Sequence, residues 1–207
     1  MDHSTVQIDA TRPMTFDRVQ VLVRLLLLSV LSSLSVHAWP LGIFYLLLPL
    51  SAAVLLTGHG RAAFIQQDAP RMVRALRWLF GVFAYLTFVV DRLPIGAEEP
   101  LHMQIAPAGS PSPGSALLRL ITSLPSALVL LVWSVFSGLC VMFAVVSVLI
   151  SKTYPASLWA FQLAVLRWQA RLFAYHASLV ESYPPFSLDA SHPDHTPPSA
   201  PMSAGPV

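Results

Sequence analysis

Residues 165–187 read VLRWQARLFAYHASLVESYPPFS, and residues 75–94 read ALRWLFGVFAYLTFVVDRLP. Both spell Leu-Arg-Trp, then Phe-Ala-Tyr, then an acid, then Pro, at a fixed offset of 90. Arg77, Trp78, Phe83, Ala84, Tyr85, Asp91 and Pro94 thus correspond to Arg167, Trp168, Phe173, Ala174, Tyr175, Glu181 and Pro184. Upstream the offset becomes 95, where VLVRLL at 21–26 answers ALLRLI at 116–121. Self-similarity at a fixed period marks a duplicated structural unit. The chain therefore reads as an N-terminal segment 1–19, a first repeat 20–95, a linker 96–114, a second repeat 115–188 and a tail 189–207. The linker is rich in Pro, Gly and Ser and reads as flexible. The Pro-rich tail reads as disordered, and its His192, Asp194 and His195 as solvated side chains with no metal to hold.

Composition sets the class. Of 207 residues 55% are hydrophobic and only 11% charged, where soluble domains carry about 25% charged residues. Mean hydropathy is +0.65. Together these point to a membrane protein. A net charge of +2, scattered along the chain, gives no footprint for nucleic acid. The one cysteine, Cys140, sits in an apolar run and reads as a packing residue.

No charged residue occurs between Arg24 and Arg61, or between Arg119 and Lys152. As a single helix each uncharged stretch would run about 55 Å, against a hydrocarbon core of about 30 Å. Two topologies fit. In one, each stretch folds back as a transmembrane hairpin, turning at Trp39-Pro40-Leu41-Gly42 and at Trp133–Gly138, with the tryptophans anchored at the far interface. In the other, each stretch is one kinked crossing and the motif helix is a second. Hairpins place every Lys and Arg on one side of the bilayer, which puts both termini in the cytoplasm. Arg24 and Arg119 then snorkel to the near interface. A signal-peptide reading of residues 24–38 is opposed by Asp2, Asp9 and Asp17 and by the second copy.

The run from Trp78 to Val90 is too short to span. In the second copy Arg167, Arg171, Ala174, Ser178 and Glu181 share one helical face, beside Trp168, Leu172, Tyr175 and Leu179. This is the pattern of an amphipathic helix lying in the interface, with the first copy the more deeply buried. The expected fold is all-α: an integral membrane protein of two tandem repeats, each a hairpin plus an interfacial helix. Candidate contacts to lipid headgroups or a membrane partner are Arg77, Trp78, Tyr85, Arg167, Trp168, Arg171 and Tyr175. Antiparallel motif helices would cross-pair Arg77 with Glu181 and Asp91 with Arg167. Gln162, Gln169 and His176 form a polar stripe on the opposite side, suited to interhelical hydrogen bonds or to a polar groove.

The second repeat resembles the bacterial membrane family catalogued as domain of unknown function 4389. The matching residues are Leu124-Pro125, Tyr154-Pro155, Leu166-Arg167-Trp168, Ala174-Tyr175 and Tyr183-Pro184-Pro185-Phe186-Ser187-Leu188. The first repeat keeps Leu56-Thr57-Gly58, Arg77-Trp78 and Ala84-Tyr85 but ends Arg92-Leu93-Pro94-Ile95. The resemblance implies an integral membrane protein and carries no activity.

No phosphate-binding loop, nucleophile elbow or metal motif occurs, so neither enzyme chemistry nor a cofactor is expected. Membrane lipids are the expected partners. Two functions remain: an inner-membrane accessory or scaffold protein, or a small transporter or lipid-binding protein with a polar groove between the repeats.

Overall fold

The computed structural model describes residues 6–38, 40–95, 101–107 and 109–184, with the side chains of 33–45 left aside. Its elements in order are β1 (Val6–Asp9), α1 (Arg18–Ala38), α2 (Pro40–Ala63), a π-helical turn (Phe64–Asp68), α3 (Ala69–Leu86), β2 (His102–Ile105), α4 (Pro113–Thr122), α5 (Leu124–Ser151) and α6 (Ala156–His176). The protein is mostly helical. Two helical stretches, Leu46–Leu86 and Leu124–Ser151, are long and apolar enough to cross a membrane. The first is not one rod, because Gly60 at φ 78° and ψ 168° kinks it.

Prolines decide where the uncharged stretches break. Pro125 lacks an N–H and would clash with the preceding turn of a helix running through it. The chain therefore breaks at Ser123, and α5 then runs unbroken to Ser151. The turn expected at Trp133–Gly138 does not exist. Ser134 donates back to the Leu131 carbonyl at 2.7 Å and stays helical, while Trp133 packs on Phe136 and on Phe161 of α6. In the first stretch Pro40, Leu41 and Gly42 already belong to α2, and Trp39 lies outside the described residues. Leu28 and Leu48 line one cavity, whereas a straight helix would hold them about 30 Å apart. The chain bends back between them.

Helices α3 and α6 form the centre and run antiparallel. Phe80 meets Phe173 edge-on at 5.5 Å, and Trp159 Nε1 donates to the Val89 carbonyl at 2.9 Å, so partners descend α6 as α3 ascends. Around this pair the contacts are reciprocal. Helix α4 packs along α2, and α1 packs along α5.

Helix α6 is not a surface helix. Trp168 is 1% exposed, and Leu166, Leu172, Ala174 and Tyr175 are buried with it. The first-copy helix α3 is the more exposed one, with Trp78 59% accessible. The reason is the chain's own N-terminus. Strand β1 pairs antiparallel with β2, Val6 opposite Ile105 and Asp9 opposite His102. Arg167 Nε donates to the Ile8 carbonyl at 2.8 Å and its Nη2 lies 3.1 Å from Asp9 Oδ1, which fastens this ribbon to α6. The linker therefore carries an ordered strand, with Leu101, Met103 and Ile105 turned inward.

The segment from β1 to α1 then caps the end of α5. Arg12 donates to the Tyr154 carbonyl at 2.7 Å, the Phe16 N–H to Lys152 at 2.9 Å and Arg18 to Ile150 at 3.0 Å. Terminal helix carbonyls have no partner within the helix and favour nearby cations. Removing Arg167 is the direct test of the ribbon's attachment. In Arg167→Met, limited trypsin digestion at the arginines of the N-terminal segment is expected to speed up at least tenfold. Unfolding stability should fall by about 1.5–3 kcal/mol, the usual value of a hydrogen bond to a charged group.

Candidate functional site

Each motif helix ends in the same way. Helix α3 closes with Phe88 in the left-handed region at φ 61°, the Phe88 N–H on the Tyr85 carbonyl and the Val89 N–H on the Ala84 carbonyl. Helix α6 closes with Ser178 at φ 58°, the Ser178 N–H on Tyr175 and the Leu179 N–H on Ala174. These are paired Schellman caps. Each receives a buried arginine from an earlier helix, the first from α1 and the second from α4. Arg24 Nε donates to the Tyr85 carbonyl at 2.8 Å and Nη2 to Val90 at 2.7 Å. Arg119 Nη1 donates to Tyr175 at 2.5 Å and to Val180 at 2.6 Å. Each guanidinium also stacks on the motif tyrosine, 4.3 Å from the Tyr85 ring and 4.5 Å from the Tyr175 ring. Arg24 is 0% and Arg119 5% exposed.

Arg24 and Arg119 are thus internal fasteners, not snorkelling side chains. The sequence held a signal for them, since they occupy corresponding places in VLVRLL and ALLRLI. The acids of the repeat follow the same logic. Asp91 lies 3.2 Å from Arg24, and Glu181 lies within the electrostatic reach of Arg119. The cross-pairs expected between Arg77 and Glu181 and between Asp91 and Arg167 are not formed. Asp91 takes Arg24, Arg167 takes Asp9, and Glu181 accepts from the Ser110 N–H. That N–H holds the Glu181 carboxyl below its usual range. Gly109 allows the approach: its φ is 104°, and a side chain there would run into the Glu181 carboxylate.

The residues expected to contact headgroups do not form one surface. Tyr85, Trp168 and Tyr175 are buried, Arg77 and Arg171 half-buried, and Trp78 exposed. Tyr85 Oη bonds Gln20 Oε1 at 2.7 Å, and Tyr175 Oη lies 3.1 Å from Thr122 Oγ1.

The polar stripe of α6 does converge, on α5. Gln162 exchanges hydrogen bonds with Ser137, its Nε2 donating to the Ser137 carbonyl at 3.0 Å and its Oε1 accepting from Ser137 Oγ at 2.5 Å. His176 Nε2 lies 3.2 Å from Ser123 Oγ. Between them Gln169 borders a cavity of about 620 Å³, within the size range of small-molecule sites. Leu28, Leu48, Phe83 and Leu86 line it from the first unit, and Leu130, Gly138, Leu172 and Phe173 from the second.

A separate polar cluster sits at the π-helical turn. Asp68, 3% exposed, lies 2.8 Å from His59 Nδ1 and 3.4 Å from Arg71 Nη1. Sequence reading missed it, because only the Gly60 kink and the extra residue of a π turn bring His59 and Asp68 together. His192, Asp194, His195 and the motif residues from Pro185 onward lie outside the described residues.

Residues 113–187 match the family described as Domain of unknown function (DUF4389), a stretch that contains α4, α5, α6 and the second cap. No curated protein matches the chain, and no solved structure does.

Proposed function

We propose that this chain is a non-enzymatic integral protein of a bacterial cytoplasmic membrane, built as two tandem units that hold a bilayer amphiphile between them. Its surface supports the membrane placement. Leu22, Leu26, Leu47, Leu128, Val132 and Phe143 face outward, while Arg24, Arg119, Ser126 and Gln162 are inside. Water-soluble proteins rarely expose so continuous an apolar surface. In lipid, polar groups need partners within the protein, and the small residues Ser126, Ser137 and Ala144 form the inner seam of α5. The tandem reading draws support from the matched arginine caps and the reciprocal pairing of α1 with α5 and α4 with α2. The β ribbon is assigned to the cytoplasmic side. The basic residues do not all gather there, because α5 is one unbroken helix with Arg119 next to its start and Arg12, Arg18 and Lys152 at its end.

The cavity between the units is the observation that carries the binding reading. The scaffold reading has less behind it, because Arg167 is engaged by the ribbon and Trp168 is enclosed. In a Cys140→Ala background, a cysteine at Gln104 is expected to react with a membrane-impermeant maleimide only after permeabilisation. Native mass spectrometry from nanodiscs should find one retained amphiphile per chain. Release of the protein by alkaline carbonate, labelling of intact cells, or bare protein in the spectrometer would each overturn the corresponding part.

A further inference from the structure

The stripe on α6 meets α5 in a regular register. Ser137 faces Gln162 and Ser123 faces His176. The two helices run antiparallel, so the residue opposite Gln169, midway between those contacts, is Leu130. Polar residues therefore meet polar residues on either side, and in the middle an amide faces a leucine. Among the described residues the Gln169 side chain has no hydrogen-bond partner, while Leu130 and Gln169 both line the cavity.

Each of the other polar side chains of the lining makes at least one hydrogen bond among the described residues. Thr87 Oγ1 donates to the Phe83 carbonyl at 2.8 Å, Ser134 Oγ to Leu131 at 2.7 Å and Ser137 Oγ to Gln162 at 2.5 Å. His176 is held by Ser123. Among the described residues no Lys, Arg, Asp or Glu lines the cavity. Two constraints on an occupant follow. A charged head would enter a weakly polar space with no counter-charge on the wall, which is strongly unfavourable. A fully apolar occupant would leave the amide unsatisfied, with two donors and an acceptor unmet.

We infer that the cavity selects an uncharged, single-chain amphiphile whose head both donates and accepts hydrogen bonds, its head at Gln169 and its chain along Leu28, Leu48 and Phe173. A monoacylglycerol has this chemistry, as do other neutral long-chain alcohols. This inference rests on the proposed binding function and narrows it to one ligand class.

The test compares two lipids sharing an acyl chain and a glycerol. They are 1-monooleoylglycerol and 1-oleoyl-lysophosphatidylglycerol, the second carrying a phosphate charge. Binding to maltoside-solubilised full-length protein is measured by scintillation proximity. The neutral lipid is expected to bind at least tenfold tighter. Gln169→Leu should weaken it about tenfold and leave the charged lipid unchanged. The thermal midpoint of Gln169→Leu should not fall, since no protein hydrogen bond is lost, whereas Gln162→Leu should lower its midpoint by breaking the pair with Ser137. Equal affinities, or a Gln169→Leu variant that binds as well as the parent, would overturn the head-group inference and leave the cavity reading standing. Binding of neither lipid would overturn both.

Discussion

Replacing Arg119 with Met is expected to lower unfolding stability by about 3–6 kcal/mol, because two buried hydrogen bonds from a charged donor are lost. They go to the Val180 carbonyl and to the Tyr175 carbonyl, which keeps the Ser178 N–H, and each is worth about 1.5–3 kcal/mol. Loss of the cation over the Tyr175 ring adds up to about 2 kcal/mol more in so enclosed a place. Arg24→Met should behave alike, since its two donors serve the Tyr85 and Val90 carbonyls. Typical domains are stable by only about 5–15 kcal/mol, so either variant is close to the threshold of folding. Fluorescence-detected thermal unfolding in detergent reads the loss. Lysine will not restore it, because a point ammonium cannot fork to two carbonyls and stack at once.

The carboxylate beside the arginine is the smaller term. Asp91 is partly exposed and shares Arg24 with two carbonyls, so Asp91→Asn should change stability by less than about 1 kcal/mol, as for solvent-screened pairs. Arg24 and Arg119 lie at opposite ends of the antiparallel α3–α6 pair, and sites so far apart act independently. Their effects should therefore add. Strong coupling between them would mean that the two caps share a support absent from this geometry.

The recurrence of Leu-Arg-Trp and Phe-Ala-Tyr in the sequence is visible because its residues are unusual and stay in register. Ala84 and Ala174 are fully buried and their carbonyls accept the Val89 and Leu179 N–H groups of the caps, and Tyr85 and Tyr175 cover the guanidinium. Such a site tolerates few alternatives, so both copies keep them. The arginine's destination was not legible. Its contacts are to backbone carbonyls, which leave no mark on residue identity, and the offset changes from 95 to 90 between the two halves of the contact. An arginine in an apolar helix reads equally well as a snorkelling side chain until the helix ends it serves are placed.

The misread elements have equally local causes. Ser134 and Gly138 looked like turn residues, yet in an apolar helix a serine bonds its own preceding carbonyl and a glycine need only leave room. Pro125 carried the real break and stands at the start of the stretch, away from its midpoint. Helix α6 looked like a surface helix because Arg167 and Arg171 share a face with Glu181. The partner of that face is β1, a strand of four residues whose pairing with β2 spans almost a hundred positions. Contacts of that range are beyond what periodicity along one helix can report.

Filling the cavity from Gly138 is expected to separate binding from folding. A Cβ at Gly138 would meet nothing within 4 Å, and the residue borders the cavity on α5. Gly138→Leu therefore starts a branched side chain from a position with room for its Cβ, at the edge of the cavity. Glycine inside a helix is unfavourable by about 1 kcal/mol relative to better helix formers, so the variant should be slightly more stable, by about 2–4 °C in thermal midpoint for a chain of this size. Amphiphile retention should drop at least tenfold, because a leucine occupies much of the room that a chain needs beside Leu130 and Leu172. Stability and binding then move in opposite directions, which a variant that merely damaged the fold cannot produce. If Gly138→Leu kept its ligand at the parental level, the occupied space would have to lie elsewhere on the molecule, and the gap between the units would be packing left unfilled.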